Sequence, residues 1–385
     1  MAALLALSCV GAQTASAPTS SPPPADRQAA QAPEAAPDSP PAGEEDTEVA
    51  SELEPPDASA FAGCAGHLDD GAPRDVQIAG RKATLQGYRL TFRDADPDGH
   101  LVLGVLGPLN EDSGLNLLAL RGYLQFFAQE KVDAIVITGD SGEYADGITR
   151  ALEAAAEAKV PILVVSGNRE CKDDYFDGVA AAQKQSDAIV NLNVVRAVEL
   201  GGLTLVSLPG YHDPNFITCE SGCRYDAATL DEVVKVAKAA KGPVLLVSHG
   251  PPRGRSSQSI DYANTAANAG DPQINRVLKD GRIAFGVFSN IKEAGARATG
   301  SDGVTLVPQG QMAKSLWLNP GPADTTSWEM NDRSHSYGFA ATLAFDGGKA
   351  SWKLFRGPKP AADDKKAAKE LEKKWKAPEE AKVGK

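Results

Sequence analysis

The chain has 385 residues, of which 42% are hydrophobic, so it can bury the core of one large domain or two smaller ones. Its formal net charge is −12 at pH 7, whereas a nucleic-acid-binding surface needs a basic balance. No apolar run approaches the roughly 20 residues that span a bilayer, so the sequence predicts neither nucleic-acid binding nor a transmembrane helix.

The N-terminus is a short apolar run that ends in Ser-Cys, "MAALLALSC", and Ala/Ser/Pro-rich sequence follows. It resembles the end of a bacterial lipoprotein signal, in which the cysteine is lipidated after cleavage. We therefore predict a signal segment at 1–12, lipidation of Cys9 and a lipid-anchored protein of the bacterial cell envelope, periplasmic or surface-exposed. No Lys or Arg precedes the run, so an ordinary secretory signal cut near "AQTASA", and a secreted protein, is the alternative.

Residues 13–60 are rich in Pro, Ala and acidic residues and nearly free of large apolar side chains, which predicts a disordered tether. A flexible chain of this length reaches roughly 40 Å, enough to hold a domain away from a membrane.

The middle of the chain, residues 61–357, alternates buried strands with amphipathic helices and predicts an α/β domain with right-handed crossovers. Strands are predicted at "HLVLGVLG", "DAIVITGD", "VPILVVSGN", "GLTLVSLPG", "GPVLLVSHG", "RIAFGVFSN" and "SLWLNPG". Helices are predicted at "LNLLALRGYLQFFAQE", "GITRALEAAAEA", "DAATLDEVVKVAKAAK" and "DPQINRVLKD". A closing hairpin is predicted from "YGFAATLAFDGG" and "KASWKLFRG". The charged run 358–385, with Trp375, predicts a solvated helical tail.

Five cysteines fit an oxidising compartment, and four remain if Cys9 is lipidated. Cys219 and Cys223 are close enough in sequence for a local disulfide. Cys64 could then pair with Cys171, but the sequence does not fix this connectivity. The alternative is a zinc site at "CESGC" with His212 as a further ligand.

Polar residues follow four of the predicted strands. Asp140, Asn168, His249 and the segment "SNIKEAG" each come at a strand end. Because ligand sites of α/β sheets lie at the carboxyl ends of strands, these side chains are expected to share one crevice.

"ITGD", "SGNRE", "SHGPP", "SNIKEAG" and "NPG", in this order, resemble the motifs of the calcineurin-like metallophosphoesterases, and the resemblance covers about residues 101–357. It implies two stacked mixed β-sheets flanked by helices, an α/β/β/α sandwich. It also implies hydrolysis of phosphate esters by two divalent cations, for which Mn, Fe or Zn suit the ligands.

The family's ligand positions fall on several residues of this chain. Asp140 takes the position of the carboxylate that bridges the two metals, which repel each other unless an anion lies between them. Asn168 and His249 take ligand positions of the second metal. Asn110 and Asn290 stand at further ligand positions as weaker donors.

The chain departs from the family pattern at four positions. Pro108, or Gly107 if the register is shifted, stands where the first-strand Asp belongs, and neither has a side-chain donor. Arg169 replaces the catalytic His, and its guanidinium cannot act as a general acid at neutral pH. Asn290 and Lys292 replace the two histidines of the Gly-His-x-His motif.

A buried Asp140 without metals would be an unpaired charge, which is costly. We therefore predict that Lys292 and Arg169 supply compensating positive charge in place of the metals. Two alternatives remain at this point. The two basic side chains could point to solvent, or a rebuilt metal site could recruit carboxylates and imidazole from two nearby loops, namely Glu111, Asp112, His212 and Asp213.

Three functions follow. The first is a catalytically impaired binding or scaffold domain for an envelope partner or a phosphate-containing ligand, with no nucleic acid and no membrane contact beyond the lipid anchor. The second is an active phosphoesterase with one metal or a remodelled site. The third is a redox or metal-storage role of the cysteines.

Overall fold

A computed structural model describes residues 64–93 and 100–375. The predicted signal segment 1–12, Cys9 and the predicted tether 13–60 lie outside these residues. The helices are α1 Gly114–Glu130, α2 Ala145–Ala156, α3 Lys172–Gln185, α4 Ala227–Ala239, α5 Pro272–Asp280 and α6 Ala362–Trp375. The strands are β1 Arg74–Ile78, β2 Arg81–Gln86, β3 Arg89–Phe92, β4 Leu101–Leu106, β5 Ala134–Ile137, β6 Ile162–Val164, β7 Ile189–Asn191, β8 Ala197–Leu200, β9 Leu203–Leu208, β10 Val244–Ser248, β11 Tyr262–Ala263, β12 Ala267–Asn268, β13 Phe285–Val287, β14 Arg297–Thr299, β15 Leu316–Asn319, β16 Trp328–Glu329, β17 His335–Ser336, β18 Phe339–Asp346 and β19 Lys349–Arg356.

Two mixed sheets form the body of the domain. The six-stranded sheet has the order β19-β18-β4-β5-β6-β7, in which β4 to β7 are parallel and the closing hairpin β18–β19 is antiparallel. The nine-stranded sheet has the order β1-β2-β3-β8-β9-β10-β13-β15-β14, and its central strands β9, β10, β13 and β15 are parallel. The parallel strands are buried along their whole length, as strands covered on both faces must be.

Side chains from both sheets share one apolar core between them. Leu103 and Val136 of the six-stranded sheet belong to the same cluster as Leu245 and Phe285 of the nine-stranded sheet. Helices α1, α2 and α3 cover the outer face of the six-stranded sheet, and α4 and α5 cover the outer face of the nine-stranded one. The predicted α/β/β/α sandwich is therefore confirmed.

Several elements were not predicted. The antiparallel strands β1, β2 and β3 and helix α3 carry many charged and polar residues, so their apolar pattern is weak. In addition, α6 is not wholly solvated as expected for the tail: Ala368 is buried, and Leu371 and Trp375 pack with the helices over the six-stranded sheet. Within the described residues, no helix is long and apolar enough to cross a membrane.

Candidate functional site: a polar crevice at the strand ends

The candidate site lies where parallel strands of the two sheets end side by side. β5, β6 and β10 lead directly into Asp140, Asn168 and His249, and the Ser289 hydroxyl donates to the Thr138 carbonyl oxygen at 3.1 Å across the two sheets. This is the carboxyl edge at which α/β sheets place ligand sites. The side chains that were predicted to converge do meet, and they form a buried polar cluster, which we call the crevice below.

Asp140 is fixed by backbone geometry. Its φ is 54°, a left-handed conformation that Asp tolerates better than most residues, and its side chain is almost fully buried. Its Oδ1 accepts the backbone N–H groups of Asn168 at 3.0 Å and Arg169 at 3.1 Å. Glycine is required at 139 and 167, because a Cβ on Gly139 would lie 2.6 Å from the Gly167 Cα.

His249 is fully buried, and all of its ring partners are acceptors. Its Nδ1 lies 2.8 Å from the Thr138 carbonyl oxygen, and its Nε2 lies 2.7 Å from Asn168 Oδ1 and 3.4 Å from Asp140 Oδ2. Acceptors on both sides of the ring favour hydrogen on both nitrogens, which gives a charged ring beside the Asp140 carboxylate. The geometry is that of a buried Asp140–His249 ion pair.

The pKa values of the pair agree with this arrangement. Burial lowers the pKa of His249, but the Asp140 carboxylate outweighs burial and leaves that pKa raised. Burial raises the pKa of Asp140, but His249 and then Lys292 outweigh it and leave that pKa lowered. Each partner therefore holds the other in its charged form.

Lys292 brings a second positive charge into the crevice. Its Nζ donates to Asn110 Oδ1 at 2.9 Å and lies 4.6 Å from the centre of the Trp328 ring. Asn110 in turn donates to the buried carboxylate of Asp324, which also accepts the Trp328 indole N–H at 2.9 Å. Burial lowers the pKa of Lys292, although the carboxylates of Asp140 and Asp324 oppose that shift.

Arg169 does not compensate Asp140, which corrects one of our expectations. Its backbone N–H contacts Asp140, but its guanidinium forms an ion pair with Glu143 at the edge of the crevice. Glu143 is half-buried, so pairing with it costs the guanidinium less desolvation than reaching the buried Asp140 would. Only Lys292 remains as a candidate charge replacement, and it does not point freely to solvent.

The other predicted residues are divided between the crevice and its surroundings. Asn290 shares a side-chain hydrogen bond with Tyr211, whose pKa burial raises to about 12. Asp112 is paired with Arg150 at 2.6 Å and does not reach Asp140. The remaining three have other surroundings: Glu111 is exposed, Asp213 accepts the Asn215 N–H at 2.9 Å, and His212 packs at a tilt against Tyr211 and stacks on Tyr225.

Two buried acidic residues of the site, Asp324 and Glu170, were not predicted from the sequence. Asp324 lies beyond the Asn-Pro-Gly turn after β15, and its N–H and that of Ala323 donate to the Pro108 carbonyl oxygen at 3.1 and 2.9 Å. Glu170, the last residue of "SGNRE", accepts the N–H groups of Ser141 and Gly167 at 2.8 and 2.9 Å. Burial and then Asp140 raise the pKa of Glu170 to about 7. Glu170 could have been found because it belongs to the motif "SGNRE", whereas no sequence pattern indicates Asp324.

The residues present do not fit a two-metal centre. Pro108 has no side-chain donor atom, and the Lys292 ammonium, held by Asn110, places a positive charge where two dications would have to bind. Among residues 64–93 and 100–375, no group of three or more His, Cys, Asp or Glu could hold a metal ion.

The predicted Cys219–Cys223 disulfide was wrong, and the two bonds of the structure connect other pairs. Cys219 pairs with Cys171, and Cys223 pairs with Cys64. The backbone bridge between Cys171 and Gly222 places Cys219 beside Cys171, whereas Cys223 points into the core and is fully buried. The two cysteines of "CESGC" thus point to different parts of the domain, which also rules out a zinc site with His212.

Comparison with known proteins identifies a family that part of the chain resembles. Residues 112–286 match the family model of the calcineurin-like phosphoesterases. The matched segment covers less than half of the chain and includes Asp140, Asn168 and His249, so it confirms the resemblance that the strand-end motifs predicted. No curated protein sequence matches it.

Solved structures that are similar to the chain come from diverse organisms. TT1561 of Thermus thermophilus is 12% identical, covers 67% of this chain and 99% of its own, and has a TM-score of 0.44. GAP50, described as the anchor in the inner membrane complex of Plasmodium, is 13% identical over 68% of this chain and 86% of its own, with a TM-score of 0.43. A dimetal phosphatase from Danio rerio is 13% identical over 67% of this chain and 96% of its own, with a TM-score of 0.43.

Proposed function

We propose that this chain is a calcineurin-like phosphoesterase domain that binds its ligand without hydrolysing it. The ligand is a phosphate-containing molecule or a protein of the cell envelope. The observation that carries the proposal is Lys292: its ammonium group stands where the family has an imidazole ligand and is held by Asn110 at 2.9 Å. A dication beside this ammonium would be repelled, because two like charges at short range oppose each other strongly.

The remaining charges of the crevice support the same function. Asp140 is compensated by the His249 ring, with Nε2 at 3.4 Å, so the carboxylate is stable without a metal. Arg169 stands at the position of the family's catalytic His, where it can neither give nor take a proton at neutral pH. In the proposed function, the crevice formed by the described residues therefore offers neither the two-metal clamp nor the general acid that phosphate-ester hydrolysis uses in this family.

The envelope location is part of the proposal. Cys9 would carry the lipid, 13–60 would hold the domain 61–357 away from the membrane, and 358–385 would form its tail. The two disulfides support an oxidising compartment, because such bonds rarely persist in a reducing cytosol.

One observation favours a second candidate, a single-metal phosphoesterase. Asp140 Oδ2 and Asn168 Oδ1 lie 3.4 and 2.7 Å from His249 Nε2, so three donor side chains of the family's second metal position still meet. A neutral His249 would free Nε2 as a ligand. A phosphoesterase of this kind would carry one equivalent of Mn, Fe or Zn.

Metal content and turnover separate the two candidates. Protein purified from the envelope fraction without chelator should carry much less than one transition metal per chain and hydrolyse aryl phosphates no faster than the His249→Ala variant. One tightly held metal, with turnover lost in His249→Ala, would establish the single-metal enzyme instead.

A restored variant tests whether the missing ligands are the cause. Pro108→Asp, Arg169→His, Asn290→His and Lys292→His together rebuild the family's ligand set. This variant should gain binding of manganese or zinc and some phosphodiesterase activity, and the gain should disappear when His249→Ala is added. A restored variant that gains neither would contradict the assignment of these ligand positions.

A further inference from the structure

One wall of the crevice is a loop with little core of its own. This wall loop, residues 212–222, runs between two buried residues, Tyr211 and Cys223, and most of its side chains are exposed. Phe216 at its tip is 62% exposed. A segment with so few buried apolar contacts has low local stability unless specific bonds hold it.

The wall loop contacts the base of the crevice through Asn168. The Phe216 carbonyl oxygen accepts the Asn168 Nδ2–H group, and the Thr218 N–H donates to the Asn168 carbonyl oxygen at 2.9 Å. The same carboxamide presents Oδ1 to His249 Nε2 at 2.7 Å. The orientation of Asn168 toward His249 therefore depends on the position of the wall loop.

The Cys171–Cys219 disulfide joins the wall loop to the segment that carries Asn168. Cys171 is only three residues beyond Asn168 and begins the helix α3, and a backbone bridge between Cys171 and Gly222 lies beside it. Both sulfur-bearing residues are half-buried and border the exposed loop. The Cys64–Cys223 disulfide is different, because Cys64 is 7% exposed and Cys223 is fully buried.

We propose that the Cys171–Cys219 disulfide is a reducible latch, that is, a bond that holds the wall loop in place and thereby keeps Asn168 oriented toward His249. A dithiol reductant would supply two electrons and two protons, the S–S bond would open to two thiols, and the dithiol would close to its own disulfide. An accessible disulfide reacts before a buried one, so the latch opens while Cys64–Cys223 stays intact. The wall loop is then released, and Asn168 loses the carbonyl that orients it.

The latch regulates the crevice of the proposed function and rests on that function only for the identity of the ligand. Its test requires neither ligand nor turnover. Full-length oxidised protein is treated with increasing dithiothreitol under native conditions, free thiols are alkylated and mapped by mass, and hydrogen exchange of the wall loop is followed. We expect alkylation of Cys171 and Cys219 first, with exchange of the Phe216 and Thr218 amides about 10-fold faster or more once that bond opens.

Variants that lack one disulfide each distinguish a specific effect of Cys171–Cys219 on the wall loop from a general loss of stability. Cys171→Ala/Cys219→Ala should show the fast exchange without reductant, and Cys64→Ala/Cys223→Ala should leave the Phe216 and Thr218 amides protected. If the first variant does not fold, the reduction of the native protein still decides. The latch is overturned if Cys64–Cys223 opens at the same dithiothreitol concentration or a lower one, or if exchange of the loop does not change after Cys171–Cys219 is reduced.

Discussion

At the scale of single residues, Lys292 links the two acidic groups of the crevice. Its Nζ donates to the buried Asn110, and both Asp140 and Asp324 act on its charge. We expect Lys292→Met to lower the free energy of unfolding by about 1–3 kcal/mol, because Asn110 Oδ1 is left without its donor and the carboxylates lose a counter-charge. Urea unfolding measures the difference.

The control for this prediction is Lys359→Met. Lys359 also lies over an aromatic ring, 5.6 Å from the centre of Tyr337, but it is exposed. We expect its loss to change stability by less than about 0.5 kcal/mol, as for most surface substitutions. Equal effects of the two variants would mean that the Lys292 ammonium is not a counter-charge of the crevice.

The Asp140–His249 pair predicts a pH dependence. His249, with its pKa raised above 6.5, contributes stability in full below pH 6.5, and this is lost as the pH rises through the folded value. Asp140, with its pKa lowered from 3.8, contributes stability in full above pH 3.8, and this is lost as the pH falls through its folded value. Both contributions are complete between pH 3.8 and 6.5.

We expect His249→Gln to remove the loss of stability on the alkaline side. In the parent protein the free energy of unfolding should fall by up to about 1.4 kcal/mol per pH unit above neutrality. Glu170, with its pKa raised from 4.5 to about 7, causes a separate decline that ends near pH 7, so the comparison is made above that value. His335→Gln, at an exposed histidine, is the control. Parallel curves for the parent and His249→Gln would refute the charged pair.

The sequence could predict the convergence of Asp140, Asn168 and His249, because strand ends of parallel sheets share one edge. It could not predict the partners that these groups choose. Glu143 takes the Arg169 guanidinium, and Asp324 comes from a turn with no regular pattern. Which of two carboxylates a cation meets depends on side-chain distances of a few ångströms, and these are set only by the folded chain.

At the scale of elements, α6 is docked by its contact with the start of α1. Glu372 Oε1 accepts the Gly114 N–H at 2.8 Å, which satisfies a free donor at the N-terminus of α1. A Cβ on Gly114 would lie 2.4 Å from the Ala368 carbonyl oxygen. We expect Gly114→Ala to displace α6 and to lower stability by about 1 kcal/mol or more. Faster proteolysis within 362–375 would report the displacement.

Gly122→Ala is the matched control on the same helix. A Cβ at Gly122 meets nothing within 4 Å, so alanine should raise the stability of α1 by about 0.4–1 kcal/mol and leave α6 protected. If both variants leave the protease sensitivity of α6 unchanged, α6 is not held by its packing on Gly114.

Apart from the closing hairpin, every strand that the sequence predicted is buried at all of its residues. β4 and β10 are buried at every residue, and their continuous apolar runs were sufficient. β1 is half-exposed and α3 begins with Lys-Asp-Asp, so tertiary contacts, not local pattern, determine them. The packing of α6 could not be predicted either, because a helix with a few apolar residues among many charged ones has the same sequence pattern as a solvated helix.

At the scale of the whole molecule, the two disulfides connect segments that are far apart in the chain. Cys64–Cys223 closes 159 residues and Cys171–Cys219 closes 48 residues, whereas the predicted local bond would have linked neighbours. Sequence proximity was a poor guide because the turn at Gly222 sends adjacent cysteines to opposite sides. The longer connection ties the first described residues to the segment between β9 and α4.

The two bonds should therefore differ in their effects on stability and on local order. The entropy of loop closure predicts a loss of about 5 kcal/mol for Cys64→Ala/Cys223→Ala and about 4 kcal/mol for Cys171→Ala/Cys219→Ala. Burial of Cys223 increases the first loss, because its removal also leaves a cavity. In guanidinium unfolding, the Cys64 variant should thus be the less stable one, even though the Cys171 variant has the looser crevice wall. A greater loss of unfolding free energy in the Cys171 variant would show that the wall loop, rather than the connection of the N-terminal segment to the core, determines the stability of the fold.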